Sequence, residues 1–223
     1  MTSNDNVVVQ GGSVGYKMNE PLLSDVVFSF NPGEIIAING ASGIGKTTLL
    51  KTLAGLLEPL EGEFSVFGKS KPRRGEVGYI PQRLGLIRHA SVLHNVMLGA
   101  RAGHTSPWFP FSPHCRKFSN DAIESVGIYH KLRTPVRKLS GGQQRRVAVA
   151  RTLAQQPRLI LADEFLAELD EETLEMVMKV VLDYVAENNA IMILVEHDFE
   201  RAKRMASRLF TAQDGTLVEI YDF

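Results

Sequence analysis

One eight-residue stretch constrains the fold more than any other part of the sequence. Residues 40–47 read Gly-Ala-Ser-Gly-Ile-Gly-Lys-Thr and stand between an apolar run, residues 35–38, and an amphipathic segment, residues 47–57. The apolar run predicts a buried strand and the following segment predicts a helix, so the glycines mark a tight strand-to-helix turn. A buried strand followed by a helix is the building block of an α/β protein with a parallel sheet.

This turn has the composition of a phosphate-binding loop. Glycines let successive backbone N–H groups face one anion, and the helix N-terminus adds partial positive charge. A lysine at position 46 can reach the terminal phosphates of a nucleotide, and the hydroxyl at position 47 can ligate Mg²⁺. The full pattern between a strand and a helix predicts a P-loop. The predicted nucleotide-binding residues of this segment are Gly40, Ala41, Ser42, Gly43, Ile44, Gly45, Lys46, Thr47 and Thr48.

A second apolar run ends on two adjacent carboxylates. Residues 159–162 are all apolar, and Asp163 and Glu164 follow them directly. Buried carboxylates are costly unless a cation offsets their charge, and Mg²⁺ is the cation expected beside a P-loop. Asp163 is expected to hold the metal, and Glu164 to orient and deprotonate the attacking water. The alternative is an ordinary acidic helix N-terminus, which the upstream P-loop disfavours.

A five-residue motif opens a third predicted helix. Residues 139–143 read Leu-Ser-Gly-Gly-Gln, and the helix is expected to run to about residue 155. Ser140 and Gln143 have the spacing of a capping box. The N–H groups of Gly141 and Gly142 also offer a second anion site at a helix N-terminus. Two phosphate-sized sites on one chain suggest a head-to-tail dimer in which each chain completes the site of the other.

With these motifs in this order, the sequence resembles the ATP-binding cassette (ABC) ATPases, specifically the nucleotide-binding subunits of ABC transporters. The resemblance runs from about residue 7 to residue 220. It implies ATP and Mg²⁺ as cofactors. It also implies that Tyr16 stacks on adenine, that Gln82 lies at the metal and at the hinge of the lobe, that His197 contacts the γ-phosphate, and that Asp170 faces the partner chain. The implied catalytic residues are Lys46, Gln82, Glu164 and His197; the metal ligands are Thr47, Gln82 and Asp163; and Ser140, Gly141, Gly142 and Gln143 contact nucleotide.

The remainder of the chain adds a β portion and a lobe. Strand-like pieces occur in residues 7–30 and 62–80, and Asp214-Gly215 is a hairpin signal, so an antiparallel portion is expected. Helical patterns at residues 91–101 and 120–126 flank a Pro- and aromatic-rich stretch. The predicted fold is α/β: a P-loop NTPase core with a parallel sheet, an antiparallel β subdomain and an inserted helical lobe. Residues 1–83 and 138–223 form the core and β part of one ABC ATPase domain, and residues 84–137 form the lobe.

Composition is that of an ordinary globular chain. The 25 basic and 25 acidic side chains give a formal net charge of zero, so no bulk field attracts nucleic acid and no such partner is expected. One cysteine precludes an intrachain disulfide and fits a reducing compartment. The sequence shows neither a signal peptide nor a run of 18 apolar residues. We therefore expect a cytoplasmic protein that reaches the cytoplasmic face of the membrane through a partner.

The resemblance implies a subunit that hydrolyses ATP to power transport. Its expected partners are a second ABC ATPase, in a homodimer or heterodimer, and separate transmembrane permease chains, with a solute-binding protein in the case of an importer. Residues 91–99 and 105–108 look like the lobe of phosphonate-importer ATPases, which favours phosphonate-like solutes. The alternatives are an ABC ATPase of the lipoprotein-release or cell-division type, and a soluble ABC ATPase that moves no solute.

Three positions depart from the family pattern. Phe165 stands where a proline commonly follows the catalytic glutamate, so the backbone there is expected to be less constrained. Glu168 stands where a small residue usually precedes Leu-Asp, which adds a charge close to the expected dimer contact. Arg145 replaces a frequent glutamine. None of these changes removes a reacting group, so activity is expected.

Two further groups of residues in the lobe have residue types that occur in metal sites or partner contacts. His104, His114 and Cys115 could suggest a metal site, but their spacing matches no standard zinc pattern. The aromatic residues between the prolines are interpreted as the small core of the lobe, with contact to a membrane partner as the alternative. These aromatic residues are Trp108, Phe109 and Phe111.

Overall fold

The computed structural model describes residues 5–105, 114–167 and 169–221, which contain nine strands and six α-helices. The strands are β1 (Val7–Lys17), β2 (Glu20–Phe30), β3 (Ile35–Gly40), β4 (Glu61–Val66), β5 (Val77–Ile80), β6 (Leu159–Asp163), β7 (Ile191–Val195), β8 (Arg208–Gln213) and β9 (Thr216–Ile220). The helices are α1 (Lys46–Leu53), α2 (Val92–His104), α3 (His114–Ser125), α4 (Gly141–Ala154), α5 (Glu171–Asn188) and α6 (Phe199–Met205). Glu168 and the three aromatic residues of the Pro-rich stretch lie outside the described residues.

The chain divides into two compact units. The first contains residues 5–73, 161–164 and 189–221, and the second contains the described parts of 74–160 and 165–188. The proposed lobe, residues 84–137, lies within the second unit, which also contains α4 and α5. No helix in the described part of the chain is long and apolar enough to cross a membrane.

The first unit holds both predicted kinds of sheet. Within this unit the strands of the larger sheet follow the order β6-β7-β3-β8-β9, with β3 parallel to both β7 and β8. The apolar residues of β3 and β7 are buried, which explains why these strands appear as continuous apolar runs. Strand β9 returns antiparallel to β8 through Asp214 and Gly215, both at positive φ, as the hairpin signal predicted. In the smaller sheet, β1 lies between β2 and β4 and is antiparallel to both, so the predicted fold class is confirmed.

Arg208 joins the two sheets of the first unit. Its guanidinium donates to both carboxylate oxygens of Glu219 at 2.6 and 2.8 Å, and to the carbonyl oxygen of Ser29 at 2.8 Å. It also lies over the rings of Phe30 and Phe210, 5.1 and 5.3 Å from their centroids. Such bidentate and cation–π contacts are strong and directional. They fix β2 against the β8-β9 hairpin, beside the strand that carries the phosphate loop.

In the second unit, helix α2 packs unusually closely on α4. A Cβ added to Gly99 would lie 1.9 Å from the carbonyl oxygen of Arg151, and one added to Gly103 would lie 1.9 Å from that of Gln155. Only glycine fits at so close a backbone approach. The Arg151 guanidinium then reaches the segment after Gln82, where it donates at 2.8 Å to the carbonyl oxygens of Leu84 and Gly85.

Two predicted helix boundaries are wrong. Helix α1 ends at Leu53 rather than near residue 57, because Gly55 adopts φ 71° and the N–H of Leu56 bonds to the carbonyl oxygen of Lys51 at 2.9 Å, which is a Schellman ending. Helix α3 begins at His114 rather than at residue 120. Ser119 lies inside the helix, where its hydroxyl donates to the carbonyl oxygen of Cys115 at 2.7 Å.

Candidate active site

The predicted phosphate loop joins β3 to α1 in the first unit. Gly40, Gly43 and Gly45 have φ values of 140°, 81° and 116°, which residues with a side chain rarely adopt. A Cβ on Gly40 would lie 2.6 Å from the carbonyl oxygen of Ala212, so no side chain fits there. Gly45 is the N-cap of α1 and has no side chain to cap the helix, which leaves the first N–H groups of α1 for a ligand.

Lys46 places a buried cation at this loop. Its ammonium donates to the carbonyl oxygens of Gly40 at 2.6 Å and Ala41 at 2.8 Å. Burial lowers the pKa of Lys46, and the nearby carboxylates of Glu164 and Asp163 act in the opposite direction. The loop therefore holds a positive charge in place for an anionic ligand.

Asp163, at the end of β6, meets the phosphate loop. Its carboxylate accepts a 2.8 Å hydrogen bond from the Thr47 hydroxyl, and the residue is only 2% exposed. Burial raises the pKa of Asp163, and the hydrogen bond from Thr47 partly opposes that effect. A hydroxyl and a carboxylate are the hard oxygen ligands that Mg²⁺ prefers, and this ion usually keeps its other positions for water and phosphate oxygens. The donor set in the first unit fits Mg²⁺.

We expect Asp163→Asn to abolish metal-dependent turnover without destabilising the nucleotide-free protein. The pKa of Asp163 is higher in the folded state than its ordinary value of 3.8. Ionisation of this carboxylate therefore disfavours folding as the pH rises above 3.8, and the full cost is reached once the pH exceeds the folded-state pKa. Asparagine removes that cost and keeps an acceptor for Thr47. At pH 7, thermal unfolding should show a melting temperature equal to or above that of the wild type, while hydrolysis with Mg²⁺ falls about a hundredfold or more. A clearly lower melting temperature with normal turnover would contradict this assignment.

Glu164 and His197 form the second pair of the site. The His197 Nε2 lies 2.6 Å from a carboxylate oxygen of Glu164. Glu164 adopts φ 49°, and its N–H donates to the carbonyl oxygen of Val195 at 3.1 Å, so the ends of β6 and β7 are joined. A carboxylate oriented by an imidazole can hold and deprotonate a water molecule. The first unit thus brings together Lys46, Thr47, Asp163, Glu164 and His197.

Two residues that hold the His197 segment were not predicted from the sequence. Asn39 Nδ2 donates to the carbonyl oxygen of His197 at 3.2 Å, and a carboxylate oxygen of Glu196 accepts from the N–H of His197 at 3.1 Å. Both are polar residues at the carboxyl ends of buried parallel strands. Ligand sites of open α/β sheets lie at such strand ends, and this was the signal that could have identified them.

The second unit carries Gln82 and the five-residue motif. Ser140 and Gln143 form the predicted capping box, with the Ser140 hydroxyl accepting from the N–H of Gln143 at 3.3 Å and the Gln143 side chain accepting from the N–H of Ser140 at 3.2 Å. Gln82 and Gly141 line one cleft of about 420 Å³, together with Arg83, Arg88 and the buried Arg145. The capping box is confirmed, whereas contact of these residues with nucleotide stays a prediction.

Three other predicted positions have clear environments. Tyr16 is 65% exposed near the end of β1 in the first unit, so its ring is accessible for stacking. Asp170 accepts from the N–H of Thr173 at 2.9 Å, so it caps the N-terminus of α5, and this hydrogen bond lowers its pKa. Phe165 is 1% exposed, so burial rather than a proline ring fixes the chain after Glu164.

The histidines of the lobe contact an aromatic ring. His104 stacks on Phe118 with ring centroids 4.2 Å apart, His114 lies 6.3 Å from the same ring, and Cys115 is buried. Burial lowers the pKa of His104. These contacts are those of a small packed cluster.

A glycine-rich phosphate loop with a buried lysine, a hydroxyl–carboxylate pair and a Glu–His pair defines a P-loop ATPase. A family model described as ABC transporter matches residues 23–167. The chain therefore belongs to the ABC transporter family, as an ATP-binding cassette that hydrolyses ATP.

Similarity to individual proteins extends over most of the chain. The chain is 36% identical over 216 residues to the phosphonates import ATP-binding protein PhnC 3 of Nostoc sp., and this match covers 92% of the chain and 82% of the relative. It is 32% identical over 228 residues to the hypophosphite import ATP-binding protein HtxD of Stutzerimonas stutzeri, which covers 96% of this chain and 66% of the relative. The dimeric post-hydrolysis structure of the ATP-binding cassette MJ0796 bound to ADP and Pi has a TM-score of 0.84 at 28% identity, covering 97% of this chain and 100% of that one. The predicted resemblance to phosphonate-importer ATPases is confirmed.

Proposed function

We propose that this chain is the ATP-hydrolysing subunit of an importer for phosphonate-like oxyanions. The observation that carries the proposal is the convergence of Lys46, the Thr47–Asp163 pair and the Glu164–His197 pair at the carboxyl ends of the strands of one sheet. The names of the phosphonate and hypophosphite relatives support import of small phosphorus oxyanions over the lipoprotein-release, cell-division and non-transport alternatives.

The residues of the first unit divide the chemistry of hydrolysis among them. Mg²⁺, when bound with ATP, neutralises charge that develops on the phosphates. Lys46 and the loop N–H groups bind the β- and γ-phosphates, and Thr47 and Asp163 hold the ion. Glu164 takes a proton from water as the water oxygen bonds to the γ-phosphorus and the bond from phosphorus to the ADP oxygen breaks. His197 keeps the Glu164 carboxylate in place.

The remaining predicted residues fit a shared site between two chains. Tyr16 stacks on adenine, Gln82 reaches the metal, and the segment from Ser140 to Gln143 binds the γ-phosphate of a nucleotide held by the other cassette. Asp170 faces that cassette, which is either a second copy or a second ABC ATPase. The dimeric state of the MJ0796 relative supports this arrangement. Separate permease chains hold the dimer at the cytoplasmic face of the membrane, and a solute-binding protein delivers the anion.

Loss of uptake tests the transport assignment. Cells that lack this chain should no longer take up labelled methylphosphonate, and a plasmid that encodes the wild-type chain should restore uptake. A plasmid that encodes Lys46→Ala should not restore it, whereas Lys179→Ala, which removes an exposed lysine on α5, should. Loss of hypophosphite uptake with normal methylphosphonate uptake would redirect the substrate assignment. Normal uptake of both anions would refute the importer proposal.

A further inference from the structure

The peptide groups on both sides of His197 are held by side chains from the first unit. Asn39 Nδ2 donates to the His197 carbonyl oxygen at 3.2 Å, and a Glu196 carboxylate oxygen accepts from the His197 N–H at 3.1 Å. The N–H of Glu196 bonds to the carbonyl oxygen of Ile38 at 3.2 Å, which extends the contact with β3. The backbone that carries the imidazole is therefore bonded at its donor and at its acceptor.

The Glu196 carboxylate is buried, and burying it would cost free energy without hydrogen-bond and ion-pair partners. It is 4% exposed, and its other oxygen accepts from Arg201 Nη1 at 3.3 Å. Arg201 is placed by α6, because its N–H donates to the Asp198 carboxylate at 3.0 Å at the start of that helix. The ion pair with Arg201 compensates the charge of the buried Glu196 carboxylate. The pair fixes the start of α6 to the residue directly before His197.

Asn39 lies in a position that links two parts of the active site. It directly precedes Gly40, the first residue of the phosphate loop, and it pairs with Thr211 of β8 in the sheet. Its side chain donates to the His197 carbonyl oxygen, while the His197 imidazole lies 2.6 Å from Glu164. One amide therefore connects the phosphate-loop strand to the histidine that orients the carboxylate.

We infer that Asn39 and Glu196 are positioning residues for hydrolysis, which hold the His197 imidazole on the Glu164 carboxylate. This inference rests on the proposed roles of Glu164 and His197. Asn39 acts through the carbonyl of His197, and Glu196 acts through its N–H, so neither residue needs to touch the nucleotide. Small displacements of a reacting group cost large factors in rate, so the effect of losing either bond falls on turnover.

A double-mutant cycle in the full-length protein tests this role. Asn39→Leu keeps the side-chain size and removes the donor, so kcat for ATP should fall about tenfold while KM stays within about twofold. In a His197→Ala background, which itself should lower kcat about a hundredfold, Asn39→Leu should add no further loss. Glu196→Gln should behave in the same way with a smaller loss, because the amide keeps one acceptor. Asn188→Leu is the matched control. The Asn188 side chain also donates to a backbone carbonyl, that of Tyr184 on α5, and it is not among the residues of the site.

The outcomes separate this inference from the proposed function. If His197→Ala lowers kcat but Asn39→Leu does not, or if the two losses multiply, the positioning role is overturned and the function stands. If Asn39→Leu raises KM as much as it lowers kcat, the residue supports the phosphate loop rather than His197. If His197→Ala leaves kcat unchanged, the proposed role of His197 in hydrolysis fails first. Binding of a fluorescent ATP analogue with normal affinity shows that each variant is folded.

Discussion

Lys46→Ala should abolish ATP hydrolysis, with turnover reduced by about two to three orders of magnitude. The Lys46 ammonium donates to the carbonyl oxygens of Gly40 and Ala41 inside the phosphate loop. The same cation is the group that can neutralise the β- and γ-phosphates, and alanine leaves only the loop N–H groups to do so. Release of phosphate from ATP by the purified protein, measured over a range of ATP concentrations, checks the loss and shows whether KM rises as well.

The control for this variant is a lysine remote from the loop. Lys179→Ala removes an exposed ammonium whose partner is Asp183, so it should leave hydrolysis unchanged. Circular dichroism should show that Lys46→Ala is folded, because burial lowers the pKa of Lys46, so folding disfavours its charged form and alanine removes that cost. Hydrolysis by Lys46→Ala at the wild-type rate would refute the P-loop assignment.

The sequence was sufficient to predict the parts of the site that depend on strand–turn order. The apolar runs that lead to Gly40 and to Asp163 are buried strands, and their carboxyl ends bring Thr47 within 2.8 Å of the Asp163 carboxylate. Such proximity follows because strands of one sheet end at a common edge. The Ser140–Gln143 capping box was predictable for the same kind of reason, since it depends only on local spacing.

Features that depend on tertiary contact were not predictable. Asn39 appears in the sequence as a single polar residue, and its bond to His197 exists only because β3 and β7 are neighbours. The departure at Phe165 suggested a loose backbone, yet the side chain is buried, which no local pattern indicates. The close approach of Gly99 to Arg151 also requires knowledge of which helix packs on α2. In each case the missing information is the identity of the neighbour rather than the local propensity.

Glu164→Gln should give a protein that binds ATP but hydrolyses it about 10² to 10⁴ times more slowly. In the wild type, His197 Nε2 lies 2.6 Å from the Glu164 carboxylate. The amide of glutamine keeps the shape of the side chain and an acceptor for this nitrogen, but it cannot take a proton from water. With ATP and Mg²⁺ present, a dimer that forms around bound nucleotide should therefore accumulate. Light scattering coupled to gel filtration should show a mass near twice the 24.7 kDa of the chain with ATP, and monomer with ADP.

Two comparisons make this result decisive. Glu187→Gln, at an exposed position on α5, should hydrolyse ATP normally and should not accumulate as a dimer. Lys46→Ala combined with Glu164→Gln should remain monomeric with ATP, because without the loop cation there is little bound nucleotide to hold two chains together. A Glu164→Gln protein that binds ATP tightly yet stays monomeric would argue against a site shared between two chains, while leaving the hydrolytic role of Glu164 intact. Unchanged turnover would instead remove Glu164 from the chemistry, and His197 would then have to be reassigned, since its contact with Glu164 is the reason for placing it there.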